Sequence, residues 1–437
     1  GIQVSLAPHA QAGTRFFVFD LARLGQAVND DPAKYGFTGG FRCPPNGLPA
    51  PVDDVCGATP NNPTNNNPLQ NQYYFGPDGL HLTNAGFALV ARYMANIVIA
   101  PDTIAVQPGI VTATMDGFTS SLLHRLGGAR QLTSVAGITV SQYGDGQMGL
   151  GYSDRHRPPT GSGGRTTTFA MGTFLGGNRS ETFDLVGYEY DATAGTAGIE
   201  YSISRNLIIG LAGNYTATHA DLTSGANIDL DAIQAAAYLS YATKHVFADV
   251  LVGLGSHDIG LVRPGVIDAV RSDTDALTFA LAARGGYLLD FGSLRAGPIA
   301  GLTYIHTRVD GYTEKGDPLL TFDVASQTLE TLTGNVGLRF LAPFRAGDSV
   351  VIPYLNVMIE HQFGDDTRIL AASLTQAPLL PILSPVATFD ARTYGKVEGG
   401  VTFQLSSDLS ASVSGASTFA RDDAYDFRVS TGLNFKF

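Results

Sequence analysis

The sequence has no tryptophan, only two cysteines and little charge. Asp, Glu, Lys and Arg make up 15% of its 437 residues, against about 25% in an ordinary soluble domain. Net charge is −12, so no basic face exists for nucleic acid, which is excluded as a partner. No uninterrupted apolar run reaches the ~18 residues of a membrane-crossing helix, and no transmembrane helix is expected. The cysteines have no neighbouring His and fit no zinc pattern; no cofactor is implied. The first residue is Gly1, with no charged and then apolar leader behind it, so the front of the chain is expected to be processed or truncated.

What is present points to strands. Gly contributes 52 residues, Tyr 18 and Phe 24, while mean hydropathy is only +0.07. Apolar residues are therefore plentiful but dispersed, as in a membrane β-barrel, where they occupy every second position. The last segment, "YDFRVSTGLNFKF", sets Tyr425, Phe427, Val429, Leu433, Phe435 and Phe437 against Asp426, Arg428, Ser430, Asn434 and Lys436. A period of two gives one apolar and one polar face. "LIIGLAGNYT" (207–216) and "KVEGGVTFQL" (396–405) repeat the pattern. Twelve such segments fall near 165–176, 184–203, 206–220, 227–243, 245–262, 273–290, 293–309, 327–342, 349–363, 391–406, 408–420 and 425–437. An even number closes an antiparallel barrel. Residues 290–292, 204–206 and 406–408 read as short turns, and 310–327 and 364–390 as long loops. A soluble all-β domain is the competing reading; so long a series of segments, ending on an outward Phe, favours the barrel.

The front of the chain differs. The apolar run Phe16, Phe17, Val18 and Phe19, followed by Leu21, Leu24 and Val28, predicts a buried strand and then a helix, an α/β unit. Cys43 and Cys56 lie in a Pro/Asn-rich loop and are expected to form a disulfide, worth roughly 3 kcal/mol for a loop of about 15 residues; two free thiols are the alternative. Thr83 caps a helix from Asn84 to about Ile99, with Pro101 stopping it. A second helix is predicted over 102–130, ended by Gly127 and Gly128, and 151–165 reads as a polar connector. The expected divisions are 1–100, 101–164 and 165–437.

The stretch "FGPDGLHLTNAGFALVARYM" (75–94) places Asp78 three residues before His81, directly ahead of the capped helix. With its Gly-Pro turn and Asn-Ala-Gly helix entry it is similar to the final block of the GDSL (SGNH) hydrolases. The whole chain resembles an esterase autotransporter of that family. What the resemblance implies is a twelve-strand transmembrane β-barrel with a lumenal helix, a type V secretion translocator, carrying the C-terminal fragment of an α/β SGNH hydrolase. In the parent esterase or lipase, His81 would be general base and then acid toward a serine, and Asp78 would orient its imidazole. The family's N-terminal Gly-Asp-Ser block and its two oxyanion blocks are expected to have no counterpart in this chain; Asn29–Asp30 does not fit the pattern. This chain alone is therefore expected to be inactive on esters. Its expected partners are outer-membrane lipid, an ester substrate for the intact parent and its own missing N-terminal fragment, with the N-terminal domain at the surface of the bacterial outer membrane. The 102–130 helix would plug the lumen, Ala113, Gly117, Ser120 and Ser121 letting it fit. A porin-like channel, or a scaffold or adhesin with a non-catalytic plug, is the alternative.

Overall fold

The computed structural model describes residues 2–43, 71–76, 79–135, 138–143, 147–152, 165–182, 185–346, 349–364, 367–388, 391–406 and 408–437. Its main body is one antiparallel sheet closed on itself. We label the barrel strands β1 (Thr166–Arg179), β2 (Tyr188–Ser202), β3 (Leu207–Leu222), β4 (Asn227–Ala242), β5 (Val246–Arg263), β6 (Val270–Tyr287), β7 (Leu294–Val309), β8 (Gln327–Leu341), β9 (Ser349–Gln362), β10 (Thr393–Gln404), β11 (Leu409–Phe419) and β12 (Ala424–Lys436). Each pairs with the next, and β12 pairs with β1 from Ala424–Arg179 to Lys436–Thr167, so the main sheet has no free edge. Closure satisfies the backbone hydrogen bonds without water, the condition for crossing a bilayer. All twelve strands fall on the segments expected from alternation.

The sidedness of each strand follows its pattern. In β3, Ile209, Leu211 and Tyr215 are exposed while Ala212 and Asn214 are buried. In β12, Val429, Leu433 and Phe435 face out and Arg428 and Ser430 face in. An outer aromatic row of Tyr201, Tyr241, Tyr287 and Phe435 marks the short-turn end. Toward the other end Tyr215 donates to Asp231 Oδ1 at 2.6 Å, an amphipathic tip suited to a membrane–water interface. Leu254, mid-strand in β5 between Ala235 and Phe279, is 61% exposed. Leu254→Arg is expected to destabilise the barrel by about 2–4 kcal/mol, read as a lower denaturant midpoint in lipid vesicles; an unchanged midpoint would mean that Leu254 does not face lipid.

The two long loops are more structured than expected. They supply a four-stranded antiparallel sheet in the order Tyr312–Thr313, Phe322–Val324, Thr367–Leu374, Ile382–Ala387, which we call the cap. Asp317 fastens it to the β5–β6 loop by accepting from the Val266 and Ile267 amides at 2.9 and 3.0 Å. Arg263 Nε donates to Glu314 Oε1 at 2.7 Å, with both side chains buried.

The N-terminal unit holds α1 (Ile2–Gln11), α2 (Leu21–Asp30) and α3 (Asn84–Ile104), with a two-stranded parallel pair, Gly40–Arg42 and Tyr73–Phe75. Four sequence expectations are corrected here. Residues 16–19 have no regular secondary structure and pair with no strand among the described residues; Phe17, Val18 and Phe19 instead pack part-buried on the core. Pro101 does not stop α3, which runs on to Ile104 because the following turn is closed by the Ala105 amide bonding to the Pro101 carbonyl at 2.9 Å. Nor do Gly127 and Gly128 end the next helix, α4 (Gln107–Val135); a Cβ on Gly127 would come within 2.8 Å of the Arg339 guanidinium, so packing explains the glycine there. Asn84–Gly127 together is also long and apolar enough to cross a membrane, contrary to expectation, but its second part runs inside the barrel. The 151–165 connector lies almost wholly outside the described residues.

Candidate functional site

α4 enters the barrel at the long-loop end. There Tyr312 donates to Gln107 Oε1 at 3.0 Å, and the helix descends through the lumen toward the short turns. The wall it meets is lined with small inward residues, Ala212, Ala236, Ala280 and Ala282, and the helix supplies the bulk in Met115, Phe118, Leu122 and Leu126. Thr112 and Thr307 hydroxyls meet at 2.8 Å. Large side chains of the helix thus fill the space that the small wall residues leave.

Lower down, charge takes over. Arg125 donates through Nη2 to Glu200 Oε2 at 3.2 Å and through Nε to Asn434 Oδ1 at 3.0 Å. Its guanidinium lies 3.4 Å from the Phe169 ring centroid. On the other side of the helix Glu398 collects Arg284 at 3.3 Å, His124 at 3.4 Å and Asn356 Nδ2 at 3.0 Å, with Arg428 at 3.7 Å. Ionic groups this buried persist only when paired, so these contacts fix both the depth and the rotation of α4. His124, which sequence reading left without a role, is part of this cluster.

A closed twelve-strand barrel traversed by a helix is also what comparison with known proteins finds. Residues 169–416 match the autotransporter beta-domain. The chain belongs to the autotransporter β-domain family. Its fold is like that of the translocator domain of the autotransporter NalP from Neisseria meningitidis, at 17% identity over 73% of this chain and 98% of that one, TM-score 0.52. The transport unit of AIDA-I from Escherichia coli is similar at 12% identity over 71% and 98%, TM-score 0.47. Outer membrane protein A of Rickettsia rickettsii is 23% identical over 240 residues, half of this chain and 11% of that protein; the chain spans about a tenth of the length of the curated relatives it matches. This autotransporter β-domain is thus a translocator and anchor in the bacterial outer membrane. The long-loop end, with the N-terminal unit, faces the cell surface.

The N-terminal unit sits on the cap. Arg23 Nη1 donates to Gln376 Oε1 at 2.8 Å, Arg15 Nη1 to Ser384 Oγ at 3.2 Å, and Lys34 pairs with Asp268 at 3.2 Å. One apolar cluster runs from Leu24, Val28 and Tyr93 into Leu320, Phe322 and Leu370 of the cap. Burial, with Asp317 of the cap as the next cause, pushes the Tyr35 phenol up to about 12.

The expected catalytic pair is half visible. Asp78 lies outside the described residues. His81 is exposed, in the turn between the strand Tyr73–Phe75 and α3. That turn is built by backbone: the Gly76 amide donates to the His81 carbonyl at 2.8 Å, Gly79 takes φ +68°, and Leu82 bridges to Phe75. Thr83 caps α3 as expected, accepting from the Gly86 amide at 3.0 Å while donating to the Tyr73 carbonyl at 2.5 Å. A Cβ on Gly86 would overlap the Tyr74 carbonyl oxygen. Gly86→Ala is expected to cost about 1–3 kcal/mol by overpacking, seen as earlier protease cleavage of the N-terminal unit with the barrel intact; equal protease resistance would refute that close approach. Cys43 is buried beside Tyr73, and its expected partner Cys56 lies outside the described residues. Contrary to expectation the sequence does contain a Gly-Asp-Ser run, 347–349; its Ser349 is the first residue of β9, at the short-turn end, where it pairs with Ala346. It stands at the opposite end of the barrel from His81.

Proposed function

We propose that this autotransporter barrel anchors a serine esterase or lipase of the GDSL (SGNH) type at the cell surface. Its C-terminal fragment is residues 1–100, and 101–164 links it through the lumen to the barrel from 165. The observation that carries the reading is His81, exposed on a backbone-built turn between a strand of a parallel pair and a capped helix, within the quoted motif. Imidazole placed there can take a proton from a serine on a neighbouring segment, while Asp78 holds its tautomer. The Cys43–Cys56 disulfide belongs to the same proposal, pinning the loop beside the strand pair. The ester is the substrate of the longer parent; no metal or organic cofactor takes part.

The test is covalent. A chain extended at its N-terminus and displayed on cells should hydrolyse a chromogenic carboxylic ester and be labelled by a fluorophosphonate at one serine ahead of Gly1. Absence of both activities from a folded extended chain would sink the esterase and leave a binding or adhesive surface domain.

A further inference from the structure

The lumen is filled unevenly. α4 packs mainly on β3–β7. On its other side a cavity of about 230 Å³ remains. Its walls run from Tyr188, Arg421 and Asp426 near the cell-surface rim down to Arg284 and Glu398. Ala113, Asp116 and Gly117 face it from the helix. At its lower end Arg284 and Arg428 are 7% and 8% exposed, and Arg284 Nε and Arg428 Nη2 have no hydrogen-bond partner among the described residues. An unsatisfied buried donor costs about 1–3 kcal/mol. Water, at about 30 Å³ per molecule in a polar cavity with several partners, removes that cost.

We infer that this cavity is a water-filled vestibule open toward the cell surface, and that the barrel's ion barrier is the Glu398 cluster at its floor. Glu398 is the one carboxylate among Arg284 on β6, Arg428 on β12 and His124 on α4, and so draws three elements together across the gap. Its removal leaves Arg284 and Arg428 facing each other as like charges. They separate, and the passage that opens keeps a positive excess: Lys396 is paired with Glu360 at 3.2 Å, and Asp116 on the helix does not balance Arg284 and Arg428 together. Ions crossing it should be anions. On the opposite side of α4, Arg125, Glu200 and Phe169 fill the same level, so the floor is complete only with Glu398 in place.

The full chain, reconstituted in planar lipid bilayers under a KCl gradient, tests this. Glu398→Ala should raise conductance at least several-fold over the native barrel, with a reversal potential favouring chloride. Glu398→Gln keeps the side-chain volume and should show the same selectivity with a smaller rise. Heat-modifiable gel mobility identifies folded barrels; if the alanine variant does not fold, the glutamine variant decides. Ala113→Cys in an otherwise native chain should react with a membrane-impermeant thiol reagent from the cell-surface side, above the background of Cys43 and Cys56. Native conductance in folded Glu398 variants, a cation-selective rise, or an unreactive Ala113→Cys would each overturn the inference.

Discussion

His81→Ala is expected to lower ester turnover by the N-terminally extended chain on the order of 10⁴- to 10⁶-fold in kcat, the loss found when the base of a serine triad is removed. The effect should fall on chemistry rather than folding. His81 is exposed, and the turn carrying it is held by the Gly76–His81 backbone bond, the Leu82–Phe75 bridge and the Thr83 cap, none of which uses the imidazole. Substrate binding and protease resistance should therefore stay near native. Asp78→Asn should cost about 10⁴-fold through the wrong tautomer. Ester turnover surviving His81→Ala would show that the motif is structural.

Glu200→Ala is expected to destabilise the plugged barrel by about 3–5 kcal/mol, because it leaves the Arg125 charge buried without its counter-ion. Glu200 is 4% exposed and also accepts from Tyr238 at 3.1 Å, so two donors lose their partner. Asn434 and the Phe169 ring still hold Arg125, and they set the lower bound of the effect. Glu200→Gln keeps a hydrogen bond and should cost about 1–3 kcal/mol. Replacing Arg125 and Glu200 together with apolar residues of similar size should recover much of the loss, since desolvating an ion pair offsets most of its attraction. The measurement is the denaturant midpoint of the barrel in vesicles. Equal midpoints for Glu200→Ala and the native chain would place Arg125 in contact with water, outside a sealed lumen.

The barrel was legible because a membrane writes its constraint into every second residue. In β12, Phe435, Leu433 and Val429 must face lipid and Arg428 and Ser430 must not, whatever the partner strands are. The cap was not legible, since its strands are short and their residue types do not follow their sidedness: Ile369 is 59% exposed while Ser384 is buried. The 16–19 segment misled for the opposite reason: an apolar run reads as a strand, but a strand also needs a neighbour to pair with.

The motif at 78–81 shows the limits of sequence in another way. Thr83 as cap and Gly86 as a point of close approach could be argued from residue type, because capping and steric fit are local. Whether His81 reaches a nucleophile depends on a segment brought beside it by folding.

From the sequence alone came the number of strands and their inward and outward faces, set by periodicity, and a helix ahead of them, set by local propensity; that the helix lies in the lumen came from the resemblance. Only the tertiary structure decided the pairing of charges inside the barrel. Arg125 with Glu200 and Glu398 with Arg284 join residues 75 and 114 positions apart, and each charge had several possible partners along the chain. Closure of the sheet and the depth of α4 within it select one, because a buried ion is stable only where its counter-charge already waits.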